Sequence, residues 1–398
     1  MSAMLLAAFF ISPTQAPDGL RYLRVGQRLW HWFVGDAGPG LGITANVVLY
    51  PLPGLLVAGG HRVLGPALPT AFVLSNIALF SAAVYFVFRV WATIAPASGL
   101  APIALGVALF LTAPDLAVWS YYLLPDTLFL FLVAAFLFHL TRAALGVGER
   151  QWTKSLIWAL LACLARPPGY VILGYWAIAA GTGRRSGWLA SWRLALCLVV
   201  LPTLVALVVW PTVLALSPRP DPRSWPFVSA VLGEIDYWYL QGAVVCSRPE
   251  TYLPPPVSVL DFMKIAAMRL VYFYYPLRGG YSMAHNALSG VYFAALALAA
   301  YAGWRRLRQM GPDHARLASL LVAFSYVFGL FHSMTELDYD WRYQLPAVLA
   351  GVVLAGVAFR APSSGHIQGN RSDRALRTSL VNQPSSSSSC LTSPSVSQ

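Results

Sequence analysis

The chain has 398 residues, of which 58% are hydrophobic and only 11% charged, and its mean hydropathy is +0.61. That balance excludes an ordinary soluble domain with a solvated surface and places the chain in a membrane. The net charge of +12 does not indicate nucleic acid, because the basic residues are scattered between apolar runs instead of forming a patch interleaved with aromatics.

The first apolar segment, Met1 to Ile11, is too short to span and lacks the basic flank of a signal peptide, although Thr14-Gln15-Ala16 precedes Pro17. As a short first helix or a signal remnant, it delivers Asp18 to the outer side. A long outer segment follows, roughly 12 to 68, rich in Pro, Gly and Trp/Tyr, as expected of structured loops and interfacial half-helices at headgroup level. A transmembrane helix needs about 20 apolar residues. Stretches 69 to 88, 194 to 218, 286 to 304 and 317 to 335 qualify without any charge. Stretches 92 to 114, 127 to 141 (with His139 inside), 155 to 165, 167 to 183 and 343 to 359 are shorter or interrupted. A second outer segment, 217 to 284, resembles the first in composition.

The expectation is an all-α integral membrane protein with about nine or ten transmembrane helices, give or take two, and two long outer loops carrying interfacial helices. Residues 1–360 form the polytopic domain. The tail 361–398, polar and low in complexity with its run Ser385 to Ser389, is expected to be a disordered cytoplasmic segment.

Charge fixes the expected orientation. With alternating sides, one set of short loops holds eleven basic residues: Arg89, Arg142, Arg150, Lys154, Arg184, Arg185, Arg193, Arg305, Arg306, Arg308 and Arg316. The opposite short loops hold only Arg166 and Arg342, so the first set is placed in the cytoplasm. Twelve of the fifteen acids, all except Glu149, Asp313 and Asp373, then fall on the outer face.

Four outer clusters carry candidate chemistry. Asp18-Gly19-Leu20-Arg21-Tyr22 offers a general base; equally, Asp18 caps the amphipathic stretch that runs to Trp32. Leu124-Pro125-Asp126-Thr127 opens a helix, where Asp126 is either an N-cap or a carboxylate at the mouth of the bundle; Asp115 lies in the same loop. Ala165-Arg166-Pro167-Pro168-Gly169 forces a turn. A cation at that depth is costly unless paired or hydrated, so Arg166 either snorkels to headgroups or binds a substrate phosphate with its planar fork. The densest cluster runs from His332 to Pro346 and holds Glu336, Asp338, Asp340, Arg342 and Tyr343. Its bland reading is a hydrated turn with internal pairing. Its alternating acids are compatible with a divalent metal, but the glycine and final glutamate of a calcium loop are missing, so no metal ligand is assigned.

Other chemistries lack their signatures. No Gly-x-Gly-x-x-Gly, phosphate-binding loop or His-Glu-x-x-His occurs, which argues against a soluble nucleotide donor and zinc hydrolysis. Cys163, Cys197, Cys246 and Cys390 lie far apart without paired spacing, so neither a zinc site nor a disulfide framework is suggested.

Taken in order, Asp18 with Tyr22, Tyr50-Pro51-Leu52-Pro53-Gly54 leading through Leu64-Gly65 into a span, Leu124-Pro125-Asp126, Ala165-Arg166-Pro167-Pro168-Gly169 and Trp341-Arg342-Tyr343-Gln344-Leu345-Pro346 resemble the GT-C superfamily of polytopic glycosyltransferases. The likeness covers most of residues 10 to 360 and leans toward the branch of protein O-mannosyltransferases and aminoarabinose transferases. It implies a catalytic carboxylate at Asp18 and a polyprenyl-phosphate sugar as donor. The acceptor would be an envelope glycan, lipid or protein, and transfer would invert the anomeric centre. Family members often have adjacent acids where this chain has Asp18-Gly19, so a second acidic role falls to Asp126 or Asp115. Arg166 and Arg342 would hold the donor phosphate, with Tyr22, Tyr343, Glu336, Asp338 and Asp340 on the substrate. No cofactor is assigned, and a divalent metal is left open. The active site would face away from the cytoplasm in the inner or plasma membrane, with membrane lipids and no nucleic acid as surroundings. A transporter or flippase for a lipid-linked or polar solute is the main rival, since intramembrane charges also mark transport paths.

Overall fold

Proline sets the first helix boundary. In the computed structural model, Pro51–Leu64 (α1) begins with proline at its first turn, where the missing N–H would have had no helical partner. A 3-10 turn, Gly65–Ala67, leads into Leu68–Ile94 (α2), so one helical run covers 44 residues. Asp126–Ala144 (α3), Gln151–Ala165 (α4) and Gly169–Gly181 (α5) follow. Val259–Tyr274 (α6), Met283–Gln309 (α7), Pro312–Met334 (α8) and Leu345–Ala358 (α9) complete the assigned helices.

The structure describes residues 50–94, 125–148, 150–181, 242–245, 248–277, 281–334 and 341–359, with single residues between 22 and 34 and between 108 and 113. Asp18, Asp115, Glu336, Asp338, Asp340, the expected span 194 to 218 and the tail 361–398 lie outside them.

The described residues form helices and no strands. Four segments are long and apolar enough to cross a membrane: Pro51–Ile94, Asp126–Ala144, Met283–Gln309 and Pro312–Ser333. Gly169–Gly181 and Leu345–Ala358 are apolar but shorter. Part of the stretch expected as the first outer loop is therefore the helix α1, continuous with the span that follows.

α3 lies at the centre of the packing. Within its apolar window 72% of residues are buried, against 22% for α7. A helix that is apolar all round and buried all round must be enclosed by protein, and α3 buries nearly every residue from Phe129 to Thr141. Phe86 of α2 meets Phe131 and Phe138 of α3 at 5.8 and 5.6 Å, and Trp158 of α4 at 6.2 Å. On another side of α3, Phe136 stacks on Phe324 at 5.9 Å and Phe129 faces Phe328 at 6.4 Å, which brings in α8. α7 instead exposes Leu288, Val291 and Leu298, an apolar surface suited to lipid.

α9 is short but buried almost throughout. It fits because Gly356 has no side chain: a Cβ there would sit 2.1 Å from Nε1 of Trp91. The same indole N–H donates to the Val353 carbonyl at 3.0 Å, pinning α9 to α2.

These pairings sort the helix ends. Arg89 near the end of α2, Arg142 near the end of α3 and the start of α4 share one end of the bundle. Arg306, donating to the Ala358 carbonyl, and Arg316, donating to the Ala179 carbonyl, belong there too. Asp126 and Arg166 occupy the other end.

Candidate functional site

The site begins with the turn made by Arg166-Pro167-Pro168-Gly169. Arg166 ends α4 in an extended conformation, φ −156° and ψ 150°, as expected of a residue before proline. Pro167 and Pro168 carry the chain round, and the Gly169 N–H donates to the Arg166 carbonyl at 2.9 Å. Gly169 then lies so close to α4 that a Cβ would sit 2.2 Å from the Ala162 carbonyl oxygen. The hairpin of α4 and α5 thus aims Arg166 inward at a fixed height.

Its partner is Asp126, the first residue of α3. Pro125 is the N-cap, and no side chain caps the helix. The Asp126 carboxylate is therefore free of the capping duty that its sequence position suggests. Instead its Oδ1 accepts from Nη1 of Arg166 in an ion pair only 5% and 2% exposed at the two residues. The reading of Arg166 as a snorkelling side chain is corrected here: it is buried and paired.

Aromatic rings close around this pair. The Tyr343 ring lies 5.3 Å from the guanidinium carbon of Arg166, within cation–π range. Tyr22 is buried and meets Tyr50 edge-on at 5.1 Å. Burial opposes the Arg166 charge, but the Asp126 carboxylate outweighs it and holds the group above its ordinary pKa. Tyr343 also contacts His332 edge-on at 5.4 Å, and His332 stacks on Phe273 of α6 at 5.5 Å and 15°.

The pair is not internally satisfied. Asp126 Oδ2 and Arg166 Nε are buried and have no hydrogen-bond partner among the described residues, and Gln344 Nε2, beside Tyr343, is in the same condition. Leaving such groups unmet costs about 1–3 kcal/mol each, more where charged, so one acceptor and two donors are open to water or a polar ligand.

Next to the pair lies an apolar cavity of about 460 Å³, within the ordinary size of a small-molecule site. Leu56, Leu64, Leu68, Phe72 and Leu79 line it from α1 and α2, and Pro125 and Leu128 bring it to the residue beside Asp126. Charged groups and an oily slot are thus adjacent.

Of the sequence candidates, Asp126, Arg166, Tyr22 and Tyr343 gather in one place. The backbone of Arg342 lies in the 3-10 turn Trp341–Gln344, but its side chain, like Asp18, Asp115, Glu336, Asp338 and Asp340, lies outside the described residues. No group of three or more potential metal-binding side chains occurs among the described residues. Sequence reading assigned no role to His332 or Gln344, although both stood in the polar segment before α9. It also missed Arg269 of α6, which is 1% exposed and donates through Nε and Nη2 to the Ala243 carbonyl at 2.9 and 2.7 Å. The spacing of Ile265, Ala266, Arg269 and Phe273, one buried helix face, was the available signal. Comparison with family models, curated proteins and solved structures found no match to this chain, so the family likeness rests on its own motifs.

Proposed function

We propose that the chain transfers a sugar from a polyprenyl-phosphate donor to an acceptor hydroxyl at the Asp126 end of the bundle. The observation that carries this reading is the buried Arg166–Asp126 pair with its unmet Nε and Oδ2, set beside an apolar cavity. An amphiphile with a phosphate head and a hydrocarbon tail answers both halves at once. Arg166 has five N–H donors, so it can keep Asp126 and still engage phosphate oxygens. Gln344 Nε2 offers a further donor. The isoprenoid chain enters the slot between α1 and α2.

In this reaction the acceptor oxygen attacks the anomeric carbon as the bond to the phosphate oxygen breaks. The acceptor proton passes to a carboxylate, and the lipid phosphate leaves with the bonding pair. Asp18 fills the general-base role, a contribution of about 100- to 10,000-fold. Arg166 stabilises the charge that grows on the leaving phosphate, with Arg342 as the second cation, an effect strengthened where water is excluded. Asp126 holds Arg166 in place and, through Oδ2, can accept a hydroxyl of the sugar.

A buried charge pair also marks transport routes, which keeps a lipid transporter as the second reading. One experiment separates them. Purified protein is given a labelled polyprenyl-phosphate sugar and a cell-envelope extract, and in parallel is reconstituted in vesicles carrying the same lipid. Transfer of label by the wild type, lost in Asp18→Asn, supports the transferase. Movement of the intact lipid between leaflets without transfer supports the transporter and defeats the proposal.

A further inference from the structure

At the opposite end of the bundle two arginines share one aromatic ring. The guanidinium carbon of Arg89 lies 5.7 Å from the Phe138 ring centre and that of Arg142 lies 5.6 Å from the same centre. Arg89 is tethered by donating from Nη1 to the Tyr85 hydroxyl at 2.7 Å, and Arg142 donates from Nε to the Val147 carbonyl at 3.4 Å. Among the described residues the ion pairs are Arg166–Asp126, Arg248–Glu250 and Lys264–Asp261, and neither arginine takes part in one. Lys154 lies in the same neighbourhood, since it and Arg142 both act electrostatically on His139.

Gathered like charges repel one another, and cations held this close together are suited to an external anion. The surface beside them says which kind. Phe86, Phe131 and Trp158 form a half-buried aromatic strip directly along the bundle from Phe138, with ring centres 5.6 to 6.2 Å apart. A free phosphate would use only the cations, whereas a phospholipid uses the cations and the apolar strip together.

We propose that Arg89, Arg142 and Lys154 form a binding site for the phosphate headgroup of an anionic phospholipid, with its acyl chains laid along Phe86, Phe131 and Trp158. The site lies at the basic end of the bundle and does not depend on sugar transfer at the other. Basic residues at the charged surface of a membrane attract anionic lipid by about fivefold each, so three of them give a clear preference over a zwitterionic lipid of equal chain length.

The test is competitive lipid retention. Full-length protein in detergent is given equal amounts of phosphatidylglycerol and phosphatidylcholine with identical chains, and the lipid retained after chromatography is quantified. The wild type should favour phosphatidylglycerol, and Arg89→Gln with Arg142→Gln should lower that preference by about 25-fold. Arg305→Gln with Arg308→Gln, a basic pair elsewhere, should leave it unchanged; an equal fall would mean general surface charge and would overturn the site. If the Arg89/Arg142 variant does not fold, the exposed Lys154→Gln replaces it, with an expected loss of about fivefold. No preference in the wild type, a preference that survives these substitutions, or equal displacement by millimolar inorganic phosphate each overturns the proposal.

Discussion

Replacing Asp126 by leucine leaves the Arg166 guanidinium in a site 5% exposed, without the carboxylate that now accepts from it. Stranding one member of a buried ion pair costs about 3–5 kcal/mol. Arg166→Met should cost a similar amount, because it abandons a carboxylate whose Oδ2 already lacks a partner. Removing both charges together deletes both desolvation penalties, and such apolar replacements are neutral or stabilising by about 1–4 kcal/mol. The combined variant Asp126→Leu with Arg166→Met should therefore be at least as stable as the wild type, although each single change is strongly destabilising. Denaturant unfolding of the four proteins in one detergent measures this directly, and the coupling should be at least as large as the two single losses together. Additive single effects, or singles that cost under about 1 kcal/mol, would refute the closed, mutually compensating pair.

Other expectations concern how that pair is held. Gly169→Ala places a methyl against the Ala162 carbonyl, so it should cost about 1–3 kcal/mol in unfolding assays and lower transfer activity by shifting Arg166. Tyr343→Phe should keep the ring contact with Arg166, whereas Tyr343→Leu should lose about 0.5–2 kcal/mol, a difference visible in thermal melts. Gly356→Ala should displace the Trp91 indole and break its bond to Val353; altered tryptophan emission together with a lower melting temperature checks this.

Much of the helical frame was legible in the sequence. Uncharged runs such as 69 to 88 and 286 to 304 fall within α2 and α7, and the run from 317 follows α8 to its end at Met334, because a long apolar stretch has few ways to hide its backbone groups except as a helix. The stretch before residue 69 was harder. The expectation of structured loop with interfacial half-helices did not place a helix start at Pro51, where prolines in a first turn begin α1 instead of interrupting it.

The site was legible only in pieces. Pro167-Pro168-Gly169 announced the turn and Pro125 announced the start of α3, but nothing local couples residues 40 positions apart. Asp126 looked like a helix cap because sequence position shows where a carboxylate starts, not which cation it meets. Arg269 was passed over for a related reason: a cation on an apolar helix face looks solvated until the carbonyl that receives it, at Ala243, is known.

The most direct test of the account is the transfer rate of the charge-free combined variant, Asp126→Leu with Arg166→Met, measured with a labelled polyprenyl-phosphate sugar once its stability matches that of the wild type. The account predicts a folded protein that has lost transfer by at least about 100-fold, the loss expected when a group that stabilises the developing charge is removed. Transfer at the wild-type rate by that variant would contradict it.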